Sequence, residues 1–236
     1  MTRPSTTPLG IALLTTAYLF GGFAAGIAIG FVVGSPKPGA FHMTRNVAAG
    51  VIAVACMMTA STLWARELAR RAGVFEARRA AWAGALSFGP VAILVGLILT
   101  ALEQQIVERG RGPALPIHTL YGILFVSATL IVASVTTWIV SAGLGVSATL
   151  QHRVALSSGF AAAGAYFLVY LGMELAGWQV GAPGAAQRAT MLVVTGLGAF
   201  AATLAGGATL GAMIFSRAPS QQAPRSPAST VHSARG

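Results

Sequence analysis

Residues 117–142 read IHTLYGILFVSATLIVASVTTWIVSA. No acid, lysine or arginine interrupts these 26 residues. As a helix they extend about 39 Å at a rise of 1.5 Å per residue, enough to cross a hydrocarbon core about 30 Å thick. Apolar side chains fall all round such a helix instead of along one stripe, the pattern of a helix solvated by lipid. The run is about twice the length of a barrel strand and does not alternate, which excludes a transmembrane β-barrel.

Five more runs have the same character: Leu9–Gly34, Thr44–Ala65, Ala80–Leu102, Val154–Gly177 and Thr190–Ser216. Arg45, at one edge of the second, is the only basic residue within them, and Glu174, near the end of the fifth, is the only acid. The whole chain agrees. Of its 236 residues, 55% are hydrophobic and only 8% charged, with mean hydropathy +0.74. A soluble domain carries about 25% charged residues to wet its surface. The reading is therefore an all-α, polytopic integral membrane bundle of six transmembrane helices over residues 9–216. A short N-terminus (1–8) precedes it, and a Pro-, Ser- and Gln-rich tail (217–236), expected to be disordered, follows. The first run is too long for the apolar region of a signal peptide and ends in a Gly/Pro turn.

The net charge of +10 comes from fifteen basic residues against five glutamates and no aspartate. Such an excess could suggest nucleic acid, but no basic run is interleaved with stacking aromatics, so no nucleic-acid partner is expected. Membrane proteins concentrate basic residues on the cytoplasmic side. One side of the expected topology holds Arg3, Arg66, Arg70, Arg71, Arg78, Arg79, Arg153, Arg217, Arg225 and Arg235. The other holds Lys37, Arg45, Arg109, Arg111 and Arg188, a bias of ten to five. Both termini are thus expected in the cytoplasm. The preference for arginine, with abundant alanine and glycine, points to a bacterial inner membrane. The Arg66–Arg79 segment reads as a helical extension of its flanking spans, with Glu67 and Arg71 paired at i,i+4 and a turn at Gly73. Trp64, Trp82 and Trp138 fall at cytoplasmic span ends and Trp178 at an outer end, where an amphipathic indole anchors at the headgroup level. The lone Cys56 has no partner for an intramolecular disulfide.

Small residues mark where helices meet. Gly22, Gly26, Gly30 and Gly34 repeat every four residues, forming a flat face for close approach of another helix, either within the chain or in a second copy or another membrane protein. Gly198, Ala202 and Gly206 form a second edge, with Gly207 and Gly211 beside it. Gly89 followed by Pro90 predicts a kink in the third span. The outer loops also resemble one another: a Gly/Pro turn (Gly34 and Pro36, Gly112 and Pro113, Gly181 and Pro183) precedes a His or Arg and then a Thr that opens the next helix. Three parallel hairpin repeats would produce this, and so would ordinary turn and cap chemistry.

No catalytic, cofactor or metal motif is present: no aspartate dyad, no GxSxG, no P-loop, no HExxH and no cysteine pair. An enzyme is not expected, nor is a cofactor or a metal. His42, Glu103, Glu108, His118 and Glu174 gather toward the outer side. Glu174 is the deepest, about 12 Å from the midplane. A carboxylate at that depth faces protein or water, is protonated, or snorkels to the headgroups. Tyr166, Tyr170 and Glu174 are spaced i, i+4, i+8 and predict a polar ladder on one face. The candidate solute- or ion-binding residues are therefore Glu174, Tyr170, Glu103 and His118. The fourth span adds hydroxyls at Ser127, Thr129, Ser134, Thr136, Thr137 and Ser141, which either bond back to the backbone or line a polar path. The function expected from these groups is transporter-like or channel-like binding of a small solute or ion. The alternative is an accessory subunit docked through its glycine faces.

Overall fold

The computed structural model describes residues 7–33, 40–74, 77–103, 105, 116–178 and 185–215, including side chains except at 30–31, 40–46, 103 and 185–189. The described residues are helical apart from short turns and contain no strand. Six helical passages are long and apolar enough to cross a membrane, as the sequence predicts. The terminal segments 1–6 and 216–236, and the Gly/Pro residues behind the loop resemblance, lie outside the described residues.

The first span is α1 (Pro8–Thr15), a π-helical turn at Thr16–Phe20, and α2 (Gly21–Val33). Thr7 caps α1 by accepting a hydrogen bond from the Gly10 amide at 3.1 Å. Pro8 stands in the first turn, where a missing N–H costs nothing. The second span, α3 (Ala40–Ala72), runs straight through the arginine segment. Glu67 holds both Arg70, at 2.8 Å, and Arg71, at 2.9 Å. The third span is α4 (Ala77–Leu86) and α5 (Phe88–Glu103), and the fourth is α6 (Ile117–Gly143). The fifth, α7 (Ala148–Leu175), begins six residues before the apolar run and takes in Gln151, His152 and Arg153. The sixth is α8 (Ala185–Leu210), extended by a wide turn over Gly211–Phe215.

The third span is broken where a kink was expected, but one turn earlier. Pro90 has no N–H to give the Leu86 carbonyl, and its ring crowds that carbonyl, so the helix ends at Leu86 and restarts at Phe88. The Ser87 amide, at 3.2 Å, and the Ser87 hydroxyl, at 2.8 Å, converge on the Gly84 carbonyl at the break, and the Ser61 hydroxyl of α3 lies 2.8 Å from it, sharing its one proton between this carbonyl and that of Met57 at 2.9 Å. Two tight turns lie on the same side of the bundle. At Gly73 and Gly145 the backbone takes φ +70° and +74°. In each, the next residue's amide reaches back across the turn, Val74 to Ala69 and Val146 to Ser141, closing the helix end.

The six spans form a ring. Each packs on its neighbours in sequence, and α8 returns to α1. Between lipid-solvated helices there is little hydrophobic drive, so close contact of small residues holds the ring together. Gly22 and Gly26 are buried against Ala53, Met57 and Ala60 of α3. That half of the glycine face serves the chain's own second span and is closed to a second subunit. Gly34 and the surroundings of Gly30 lie outside the described residues. On the sixth span, Gly198 and Gly206 meet α7 at Tyr166, Ser158 and Ala162, while Gly207 and, just beyond α8, Gly211 meet α1 at Ala12, Thr15, Ile11 and Pro8. One helix thus carries two glycine edges, one for each neighbour.

The side of the bundle that holds Pro8, the two glycine turns and Phe215 is here the near face, and the opposite side the far face. A tight cluster fills the near half. Leu68, Val140, Val154 and Leu210 are its centre, all at most 1% exposed. Trp64 joins it, also 1% exposed. This corrects its assignment as an interface anchor: its indole N–H donates to the Thr15 hydroxyl at 3.1 Å, inside the bundle. Trp82, Trp138 and Trp178 are exposed, as belt residues should be.

Candidate functional site

Two places in the ring gather polar groups. The first is the far rim between α6 and α7, where three of the predicted residues meet. His118 Nε2 lies 3.1 Å from Glu174 Oε1, and the Tyr170 hydroxyl donates to the His118 backbone carbonyl. Gly122 on α6 makes room for the Tyr170 ring, since a Cβ there would lie 2.8 Å from the ring edge. The side chains of His118 and Glu174 are 30% and 27% exposed. The fourth predicted residue, Glu103, has its side chain outside the described residues, as do His42 and Glu108.

Glu174 does not point into the bundle. It lines a groove of about 330 Å³ with Thr119, Ile123, Ser127, Phe167 and Leu171, and of these Ile123 and Phe167 stand exposed on the perimeter. The reason lies in helix geometry. A step of four residues advances the side chain about 40° beyond a full turn. Tyr166 therefore faces the bundle axis, Tyr170 sits in the α6–α7 contact, and Glu174 has rotated out to the edge. The expected ladder is a spiral that carries polarity away from the interior.

The second place is the centre of the ring, which sequence reasoning missed. Above the near-face cluster lies an open-sided cavity of about 290 Å³ to which all six spans contribute. Phe20, Trp64, Phe88, Val95, Phe125 and Ala202 form part of its largely apolar wall, and no charged residue is among its described lining. Its polar groups are hydroxyls. Thr129 and Thr203 spend theirs on their own helices, donating to Phe125 at 2.8 Å and Phe200 at 2.9 Å. Thr136 and Tyr166 line it through their carbon atoms: both are 3% exposed, and their hydroxyl oxygens are sealed from the cavity as well as from solvent. Thr195 lies beside the Tyr166 hydroxyl as its polar partner.

The hydroxyl-rich α6 thus divides its duties. Thr129, Thr136 and Thr137 face the cavity, Ser127 faces the perimeter groove, and Ser134 packs against Gly159 of α7. The signal for the cavity was present in part, as threonines at 129, 136 and 137 share one helical face. That the face opens on a void required knowing which helices stand opposite. The chain matches no family model, no curated protein and no solved structure.

Proposed function

We propose that this polytopic membrane protein binds a small solute, transporter-like and without catalysis, and that the solute occupies the central cavity. The observation that supports this reading is the cavity itself, shared by all six spans and floored by a packed near half. A protein needing only to fill its own interior gains dispersion contacts by closing such a void. The uncharged lining favours a neutral solute over an ion, because an ion stripped of water needs a compensating charge or a full set of dipoles. The far-rim trio is then a clasp joining α6 to α7. Both termini are assigned to the cytoplasmic side on the ten-to-five basic bias, and a bacterial inner membrane on the preference for arginine with abundant alanine and glycine.

Thermal unfolding of the purified protein against a panel of neutral solutes tests the reading. A ligand at one hundred times its Kd adds about 2.7 kcal/mol. Saturable stabilisation is expected, and Ala128→Phe, which fills the cavity, abolishes it. A partner co-purifying in fixed ratio, with no solute giving stabilisation, supports the accessory-subunit alternative and overturns this one. For topology, single cysteines at Ser220 and Gly39 in a Cys56→Ala background report the sides, and labelling of Ser220→Cys from outside intact cells reverses the assignment.

A further inference from the structure

We infer that the central cavity takes its ligand sideways from the bilayer, through a slot between α2 and α8, and that the ligand is the hydrocarbon chain of a membrane lipid. The inference rests on the reading of the cavity as a solute site and names the class of solute.

The slot follows from one face of the sixth span. Gly196 and Gly207 stand three helical turns apart, within about 20° of each other, so they share that face. At Gly207 the face is pressed on α1, where an added Cβ would lie 2.7 Å from Thr15 Cβ and 3.0 Å from Ala12 Cα. At Gly196 an added Cβ would meet nothing within 4 Å. The first span has left the sixth by that level. It departs at the π-helical turn of Thr16–Phe20, beyond which α2 rests on α3 and has no comparable contact with α8 among the described residues. Gly22 and Gly26, set against α3, hold it there. Toward the near face the slot ends where Phe20 and Phe200 meet edge to face, with ring centroids 5.5 Å apart. Phe23 on one lip and Ala199 on the other belong to the cavity wall, so the slot opens into the cavity.

Depth and chemistry decide what fills it. Ala199 lies about 5 Å from the middle of the sixth span, so the slot faces acyl chains instead of headgroups or water. No described lining residue is charged. Thr129 and Thr203 are bonded to their own helices, and the oxygens of Thr136 and Tyr166 are sealed from the cavity. Trp64 offers its ring and not its N–H, which is committed to Thr15. A buried water needs about two to four polar partners, and this wall does not supply them. An acyl chain needs none and gains dispersion contacts along its length. Size agrees. The lining of α6 from Phe125 to Thr137 extends about 18 Å along the helix axis. An apolar cavity of about 150 Å³ accommodates benzene, so roughly twice that volume takes about a dozen carbons. The chain enters by its methyl end while its headgroup stays outside. Such a tethered ligand occupies the slot for as long as it is bound, whereas a free solute needs the slot only in passing.

Trp64, on the cavity wall, supplies the readout. The full chain with Trp82, Trp138 and Trp178 changed to Phe is placed in phosphatidylcholine nanodiscs, with a rising share of the lipid brominated near the methyl ends of its acyl chains. One bound chain either carries bromine or does not, so Trp64 emission should fall in direct proportion to the brominated share. Trp138 kept alone, exposed on the perimeter, touches several lipids, and its emission should fall more steeply. Ala128→Phe, which fills the cavity, and Gly196→Phe, which fills the slot, should each remove most of the Trp64 quenching. Bromobenzene, a free solute corrected for its partition into lipid, should quench Trp64 saturably in both the parent and Gly196→Phe. Saturable quenching by bromobenzene with none from the brominated lipid overturns the inference and leaves the cavity a solute site. Lipid quenching that follows the steeper Trp138 curve, or that survives either variant, also overturns the inference. Quenching by neither probe overturns the solute site as well.

Discussion

A Cβ placed on Gly84 would collide with the Ser61 carbonyl and lie 2.7 Å from Ala65 Cβ and 2.9 Å from Thr62 Cα. Two of these three are backbone atoms, so relief requires α4 to move off α3. Gly84→Ala should therefore destabilise by about 1–3 kcal/mol. Gly196→Ala, where a new Cβ meets nothing within 4 Å, should be neutral or stabilise by about 0.4–1 kcal/mol. Unfolding in detergent compares the two, and equal losses would mean that the close α3–α4 approach does not exist. Neither glycine is distinguishable from the other in the sequence. Composition shows that small residues cluster, but which ones touch depends on the neighbour across the contact. The same limit applies at Glu174. Its depth was legible from its position in the fifth run. Its direction was not, because the drift of about 40° per four residues accumulates over two steps and turns an inward ladder outward.

At the scale of elements, the six spans were legible because lipid imposes one requirement, an unbroken apolar helix, on every residue of each run. Their internal defects were legible only in part. Pro90 announces a disturbance, but not that the helix stops at Leu86 and that Ser87 and Ser61 supply donors to the Gly84 carbonyl. This arrangement is why the break is tolerated at the centre of a bundle. Ser61→Ala should cost about 0.6 kcal/mol, near the average for an interhelical hydrogen bond in a membrane protein, because the Ser87 donors remain. Ser87→Ala should cost a similar amount. The double variant should lose more than the sum of the two, since the carbonyl then keeps only the long Ser87 amide contact of 3.2 Å. A double-mutant cycle in thermal unfolding measures the excess, and strict additivity would show that the two serines do not act on one acceptor.

For the whole molecule, closure of the ring is what creates the cavity, and closure depends on a contact between the first and last spans that no local pattern reveals. The glycines of α8 were visible as an edge. That Gly198 and Gly206 serve α7 while Gly207 and Gly211 serve α1 follows only once all six spans are assembled. The closing contact is also coupled to the cavity wall. A Cβ on Gly207 would lie 2.7 Å from Thr15 Cβ, 2.8 Å from its hydroxyl and 3.0 Å from Ala12 Cα. That same hydroxyl accepts the Trp64 indole N–H. Gly207→Leu should therefore force α1 away from α8, costing about 1–3 kcal/mol, and at the same time release Trp64. In the protein retaining Trp64 alone, its emission should shift to the red and become accessible to a soluble quencher. Gly164→Leu, on an exposed position of α7 with open space around it, should leave both stability and emission within about 0.5 kcal/mol and experimental error of the parent. A destabilised Gly207→Leu protein with unchanged Trp64 emission would separate the closing contact from the cavity, and the ring would then not be what holds the cavity's shape.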